Sequence, residues 1–369
     1  MERMCLHATF LFFIVTVVLS FPSFAKAWDE ESFYRKTIII ARPFTLPQGP
    51  RDMQAQTIVG SPREYTIQKK DTLLDIARYF DLGYNELINV YPDLDPWIPP
   101  AGETLTLPTF WTLPKSGYEG IVVNIPEMRL YYFPPREKGS QRLVITLPVG
   151  LGREDWPTPV AKFKISGKVA NPTWVIPESI KQERIAEKGW TEDFIPGGSP
   201  DNPMGKYKLQ LTLPLYAIHD TNNPWAVGRL VTHGCIRLYP EDIQQFFDVV
   251  KVGVPGEFVY QPVKIGFFNG KIYAEVHEDI YGLVPDLWQE AQKAVQESGW
   301  EDLVDNNKLL KVLMKKTGMP TDVTKGLQYQ NGNELRYEDH DEEERKQNQE
   351  FDDFTISRED VNWQGDPWN

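Results

Sequence analysis

The chain is short of cysteine, with two in 369 residues. That scarcity excludes a disulfide framework. It also lacks a cationic surplus: Lys and Arg number 39 against 52 Asp and Glu, a formal net charge of −13. This balance argues against a nucleic-acid binder, which needs a basic face. It leaves room for a polar, partly cationic substrate. No internal repeat is present. The apolar run at residues 8–21 is shorter than the roughly 20 residues that span a bilayer. What is present is enough apolar sequence, 41%, to bury a sizeable core and exclude wholesale disorder. Thirty prolines and 26 glycines point to turns and strands rather than a helical bundle. At roughly 150 residues per domain, the length suggests two or three domains.

Arg3 stands just ahead of the apolar run, and Ala25-Lys26-Ala27 places small residues where a signal peptidase reads. The reading is a signal peptide, 1–27, cleaved after Ala27 and exporting the protein, with an uncleaved anchor as the alternative. Cys5 leaves with the signal, so Cys235 is the only thiol of the mature chain. A lone thiol in an oxidising compartment is either well buried or chemically needed.

Residues 28–62 read as a surface leader marked by Pro43, Pro47, Pro50 and Pro62. Residues 63–109 read as a small unit. Tyr65-Thr66-Ile67 is a strand, and Asp71-Thr72 caps a helix with Leu73, Leu74, Ile76 and Ala77 on its apolar positions. A second short helix opens at Asn85, and a strand at residues 104–108 closes the order strand, helix, helix, strand. Residues 118–262 are mainly β, with a hairpin about Pro126-Glu127-Met128 and a helix after Pro240. Residues 263–317 add a hairpin turning at Asn269-Gly270 and helices over 283–298 and 303–316. Residues 318–369 read as a disordered tail, since Glu338 to Asp353 holds nine acidic residues against Arg345 and Lys346. Trp363 and Trp368 leave a docking role open there.

The chemistry gathers around Cys235. His219 and His233 lie within sixteen residues of it. A free thiol has a pKa of about 8.5, so it needs a base to act as a nucleophile at neutral pH. An imidazole within reach takes the proton and later returns it to a leaving amine. Gly234 has no side chain to obstruct a carbonyl, so the N–H groups of Gly234 and Cys235 are candidates for an oxyanion site. Arg237 shares a strand face with Cys235 and is positioned for a substrate carboxylate or amide. Asp220 follows His219 directly, but adjacent strand residues point to opposite faces, so a backbone carbonyl is the expected partner of the imidazole. A zinc site of His219, His233 and Cys235 has no evident fourth ligand. His277 and His340 read as surface residues, and Trp190 and Trp225 as loop aromatics.

At Thr232-His233-Gly234-Cys235-Ile236-Arg237 with His219 upstream, the chain resembles the YkuD-type L,D-transpeptidase catalytic domain. Gly150-Leu151-Gly152-Arg153, Thr158-Pro159, Asn171-Pro172-Thr173-Trp174 and Asp201-Asn202-Pro203-Met204-Gly205 extend the resemblance. Residues 63–109 resemble a LysM module, although Lys70 stands where that family usually has glycine. The resemblance implies a mixed β-sandwich catalytic domain with a small βααβ module and a partly helical extension, located in the periplasm. It implies that Cys235 attacks a peptidoglycan stem tetrapeptide and expels D-alanine. His219 would be the base, and Gly234, Cys235 and His233 the oxyanion site. Thr232 and Arg237 would bind the peptide, and Asp71 and Thr72 would contact the glycan strand. The acceptor would be a second stem or an outer-membrane lipoprotein, and carbapenem-type β-lactams would acylate Cys235. No metal or cofactor is implied. A hydrolase of the same family and an inert wall-binding protein remain alternatives. A papain-like peptidase is disfavoured because its cysteine precedes its histidine.

Overall fold

The computed structural model describes residues 43–46, 56–136 and 142–326. The expected signal peptide, much of the leader and the acidic tail with His340, Trp363 and Trp368 lie outside them. The described residues form a mainly β protein.

Nine strands make the principal sheet. Across it they run Phe44–Leu46, Arg142–Pro148, Arg129–Phe133, Gly120–Asn124, Pro255–Val259, Lys162–Ala170, Tyr207–Leu211, Ala217–His219 and Ile236–Arg237. Two neighbouring pairs are parallel: Gly120–Asn124 with Pro255–Val259, and Ala217–His219 with Ile236–Arg237.

Gly120–Asn124 and Arg129–Phe133 are buried at every position. That explains their nearly unbroken apolar sequence, which is expected when both faces of a sheet are covered. Ile121, Val123, Leu130 and Tyr132 face a core closed by Ile243 and Phe246 of the helix Pro240–Val249. Val122, Tyr131 and Phe133 face a second core with Leu73, Ile76, Leu87 and Leu105. These last belong to the strand–helix–helix–strand unit: Arg63–Thr66, Leu73–Tyr79, Tyr84–Val90 and Thr104–Leu107, its strands paired antiparallel. The small unit is therefore a layer on the sheet rather than a separate bead.

Polar contacts weld that layer down. Arg129 is fully buried, donates to Glu86 at 2.7 and 3.2 Å and to Asp81 O at 2.8 Å, and lies 4.3 Å from the Trp111 ring centre. Arg78 makes a two-point contact with Glu241 at 2.8 and 3.0 Å, and Tyr239 Oη donates to Leu82 O at 3.0 Å.

Several expectations need correction. The leader is not merely draped on the surface: Phe44–Leu46 is the sheet's edge strand, and Ile58–Gly60 pairs with Phe110–Thr112. Pro43 precedes the first of these strands instead of interrupting it. The helix Glu178–Lys188 was not foreseen, because it buries no residue and so carries no apolar stripe. The two last helices, Leu287–Ser298 and Asn306–Lys315, begin later than expected. Asp286 and Asp305 cap them by accepting the following N–H groups. Order also continues beyond residue 317, since Thr321–Asp322 pairs with the strand Lys271–Val276 and Val323 is buried.

His277, expected at the surface, is buried beside Glu275, with Nε2 at 2.8 Å from its carboxylate. Lys264 completes this cluster, with Nζ at 2.6 Å from Thr112 O, 2.7 Å from Glu127 and 2.7 Å from Glu275. Burial favours neutral Glu275, but Lys264 and His277 outweigh it and hold its pKa below the ordinary value. The cluster ties the trailing hairpin to the sheet and to Phe110–Thr112.

Candidate active site

Ile218 lies opposite Ile236 and His219 opposite Arg237 in the parallel strand pair. Cys235 immediately precedes the two-residue strand Ile236–Arg237, at the end of the turn that leads into it. His219 is buried, and its Nδ1 lies 2.5 Å from Asp220 O. A carbonyl only accepts, so Nδ1 carries the proton and Nε2 keeps the lone pair. The Asp220 carboxylate turns away and accepts the N–H groups of Lys206 and Thr221, each at 2.7 Å.

Burial, reinforced by the nearby Arg237 charge, holds the His219 pKa down at about 3. Burial raises the Cys235 thiol above its ordinary value, against a backbone hydrogen bond from Ala217 and the charges of Lys208 and Arg237. Cys235 Sγ donates to Leu215 O at 3.5 Å. Both shifts favour the uncharged forms, a thiol and an imidazole.

Gly234 is required by two features. Its φ is +98°, and a Cβ there would lie 2.5 Å from a Tyr216 ring carbon. Its N–H does not face an open oxyanion position as expected, because it donates to Thr232 Oγ1 at 3.1 Å. Thr232 Oγ1, expected to touch substrate, is engaged within the turn. Buried, it donates its only hydroxyl proton to Cys235 O at 2.7 Å and staples the turn.

His233 turns away from His219. Its Nε2 lies 3.0 and 3.1 Å from the Glu183 carboxylate and 3.3 Å from Arg153 Nη2. Arg153 in turn donates to Glu183 at 2.9 Å, so the helix Glu178–Lys188 is clasped to the turn that carries His233. The histidines and Cys235 therefore do not converge on a metal. Among the described residues, the one His, Cys, Asp or Glu group close enough for an ion is Glu127, Glu275 and His277, and there the Lys264 ammonium already supplies the cation.

Arg237 Nε is buried with no hydrogen-bond partner among the described residues, a donor left over beside Cys235. Asp71 and Thr72, expected to touch glycan, are structural. The Asp71 carboxylate accepts from Tyr65 Oη at 2.7 Å and Gln68 N at 2.8 Å, and Thr72 caps its helix reciprocally with Asp75. Near them the exposed aromatics are Trp97 and Trp225, whose ring centres lie 5.0 Å apart. Trp190 is exposed as expected.

Leu215, Tyr216 and Glu183 escaped the sequence reading. Pro214 was the available sign of a turn at Leu215, where φ is +70°. Nothing local marks Glu183 as the partner of a histidine fifty positions away.

A family model of the L,D-transpeptidase catalytic domain matches residues 119–265. Probable L,D-transpeptidase YcfS of Escherichia coli is 31% identical over 325 residues, covering 85% of this chain and 93% of that protein. Probable L,D-transpeptidase YbiS of the same species is 37% identical over 235 residues, covering 63% of this chain and 75% of that one. Among solved structures, the catalytic domain of the Enterococcus faecium L,D-transpeptidase acylated by ertapenem aligns at 19% identity with a TM-score of 0.28. That alignment covers 40% of this chain and 100% of that one. With that similarity to YcfS along nearly its whole length, the chain belongs to the L,D-transpeptidase family.

Proposed function

We propose that this transpeptidase works through a Cys235 thioester on peptidoglycan stem tetrapeptides. The observation that supports the reading is the strand pair joining Ile236–Arg237, directly after Cys235, to Ala217–His219, with His219 Nδ1 held by Asp220 O so that Nε2 keeps its lone pair. Nε2 takes the thiol proton as Sγ attacks the carbonyl carbon at the L-centre of the diaminopimelate residue. The C–N bond to D-alanine breaks, and the imidazolium returns the proton to the leaving amine. The Cys235 N–H receives the developing oxyanion, and Arg237 Nε holds a substrate carboxylate. An acceptor amine, from a second stem or a lipoprotein lysine, then attacks the thioester and releases the thiol. The 63–109 unit is read as a LysM module gripping the glycan strand, with exposed Trp97 and Ile98 in place of Asp71 and Thr72. Export to the periplasm by a signal peptide completes the reading.

Intact mass after mixing the mature enzyme with a disaccharide tetrapeptide tests it. The wild type should gain the disaccharide-tripeptide acyl mass and release D-alanine, and Cys235→Ala should do neither. An adduct that persists in Cys235→Ala, or none in the wild type with its thiol reduced, would sink the mechanism.

A further inference from the structure

We propose that Tyr281, beyond residue 265 where the family match ends, is a positioning residue that aims the Cys235 N–H by way of Thr158. The inference rests on Cys235 being the acylated nucleophile.

Tyr281 Oη donates to Gly152 O at 2.7 Å and accepts from Thr158 N at 3.2 Å. Thr158 Oγ1 accepts from Gly152 N at 3.1 Å and donates to Gly234 O at 3.0 Å. The circuit leaves no slack. A Cβ on Gly152 would meet Thr158 N at 2.8 Å and Gly234 Cα at 2.9 Å.

Gly234 O and the Cys235 N–H belong to one peptide unit. That unit is planar and trans, so they point in opposite directions. Anchoring the oxygen on Thr158 therefore sets where the N–H points. Gly234 gives little restraint of its own, because glycine is the residue with the freest backbone.

Tyr281 is itself held from behind. Its N–H donates to Tyr260 Oη at 2.8 Å, and Tyr260 Oη donates to Asp279. Asp279 also accepts the N–H groups of Leu283 at 2.9 Å and Val284 at 2.8 Å. The trailing segment thus reaches back to the nucleophile loop and works as part of the catalytic apparatus.

Tyr281→Phe keeps the ring and removes the hydroxyl. Two reactions of Cys235 separate its roles. Acylation by a carbapenem builds an oxyanion at a carbonyl. Alkylation by iodoacetamide forms a C–S bond at a saturated carbon, expels iodide and builds no oxyanion. Loss of a direct oxyanion donor slows catalysis about 10²–10³-fold, so a misaimed one should slow acylation at least about tenfold while alkylation stays within about twofold. Thr158→Val, which cuts the same circuit at Gly234, should reproduce the split. Unchanged acylation in Tyr281→Phe overturns the proposal. So does an equal fall in both rates, which would place the effect in the thiol or the fold. A wild type that takes no carbapenem on Cys235 defeats the nucleophile reading, and this inference falls with it.

Discussion

At the scale of single residues, burial biases His219 and Cys235 toward their neutral forms. With burial holding His219 at about 3, its imidazole stays unprotonated down to mildly acidic pH. The rate of Cys235 acylation should therefore show no acid limb near 6.5, the ordinary imidazole value, and should stay flat from about pH 5 to pH 7. A limb near 6.5 in a pH–rate series would contradict this. Gly234→Ala should lower acylation by about a hundredfold or more, because the φ of +98° and the Tyr216 ring both resist a Cβ and the turn must open. Lys70 carries φ +76°, in the left-handed region. Lys70→Gly should raise unfolding free energy by about 0.5–1 kcal/mol: relief of the left-handed backbone outweighs the added freedom of the unfolded chain. A urea titration measures it.

At the scale of elements, the trailing hairpin is pinned by one buried ammonium. Lys264 faces Glu127 and Glu275 at 2.7 Å each, with essentially no solvent contact. Lys264→Met leaves two buried carboxylates without their cation and should destabilise by about 3–5 kcal/mol in chemical denaturation. A well-packed replacement of the whole cluster by apolar residues should cost far less. The helix Glu178–Lys188 is the opposite case. It has no fully buried residue, and its contacts of Glu183 with His233 and Arg153 are half-exposed ion pairs that contribute little to stability.

For the whole molecule, the joint between the 63–109 layer and the sheet should respond to pH. Burial drives Asp81 up to about 8 against the pull of Arg129, and its buried neighbour Asp242 is likewise raised well above its usual value. A raised carboxyl keeps its proton in the folded state while the unfolded chain loses it. Its contribution is full below the unfolded value of 3.8 and is lost as pH rises toward about 8. Denaturation midpoints should fall between pH 5 and pH 8, and Asp242→Asn should flatten that slope. A midpoint that rises over this range would refute it.

The sequence by itself determined the mainly β class, the strand–helix–helix–strand order and the closeness in sequence of Cys235 to two upstream imidazoles. These depend on local patterns: alternation, caps, and a rare residue among its neighbours in the chain. Strand alternation even predicted a carbonyl partner for His219. Tertiary structure alone decided what each polar group does. Thr232, Asp71 and Thr72 carry groups that look available for a ligand, yet each is engaged by a neighbour that only the folded turn brings near. Glu183, Tyr281 and Lys264 act on groups distant in the chain, and no local pattern encodes such a contact. The double burial of Gly120–Asn124 likewise became readable only when both covering layers were in place, because an apolar run records that it is covered and not by what.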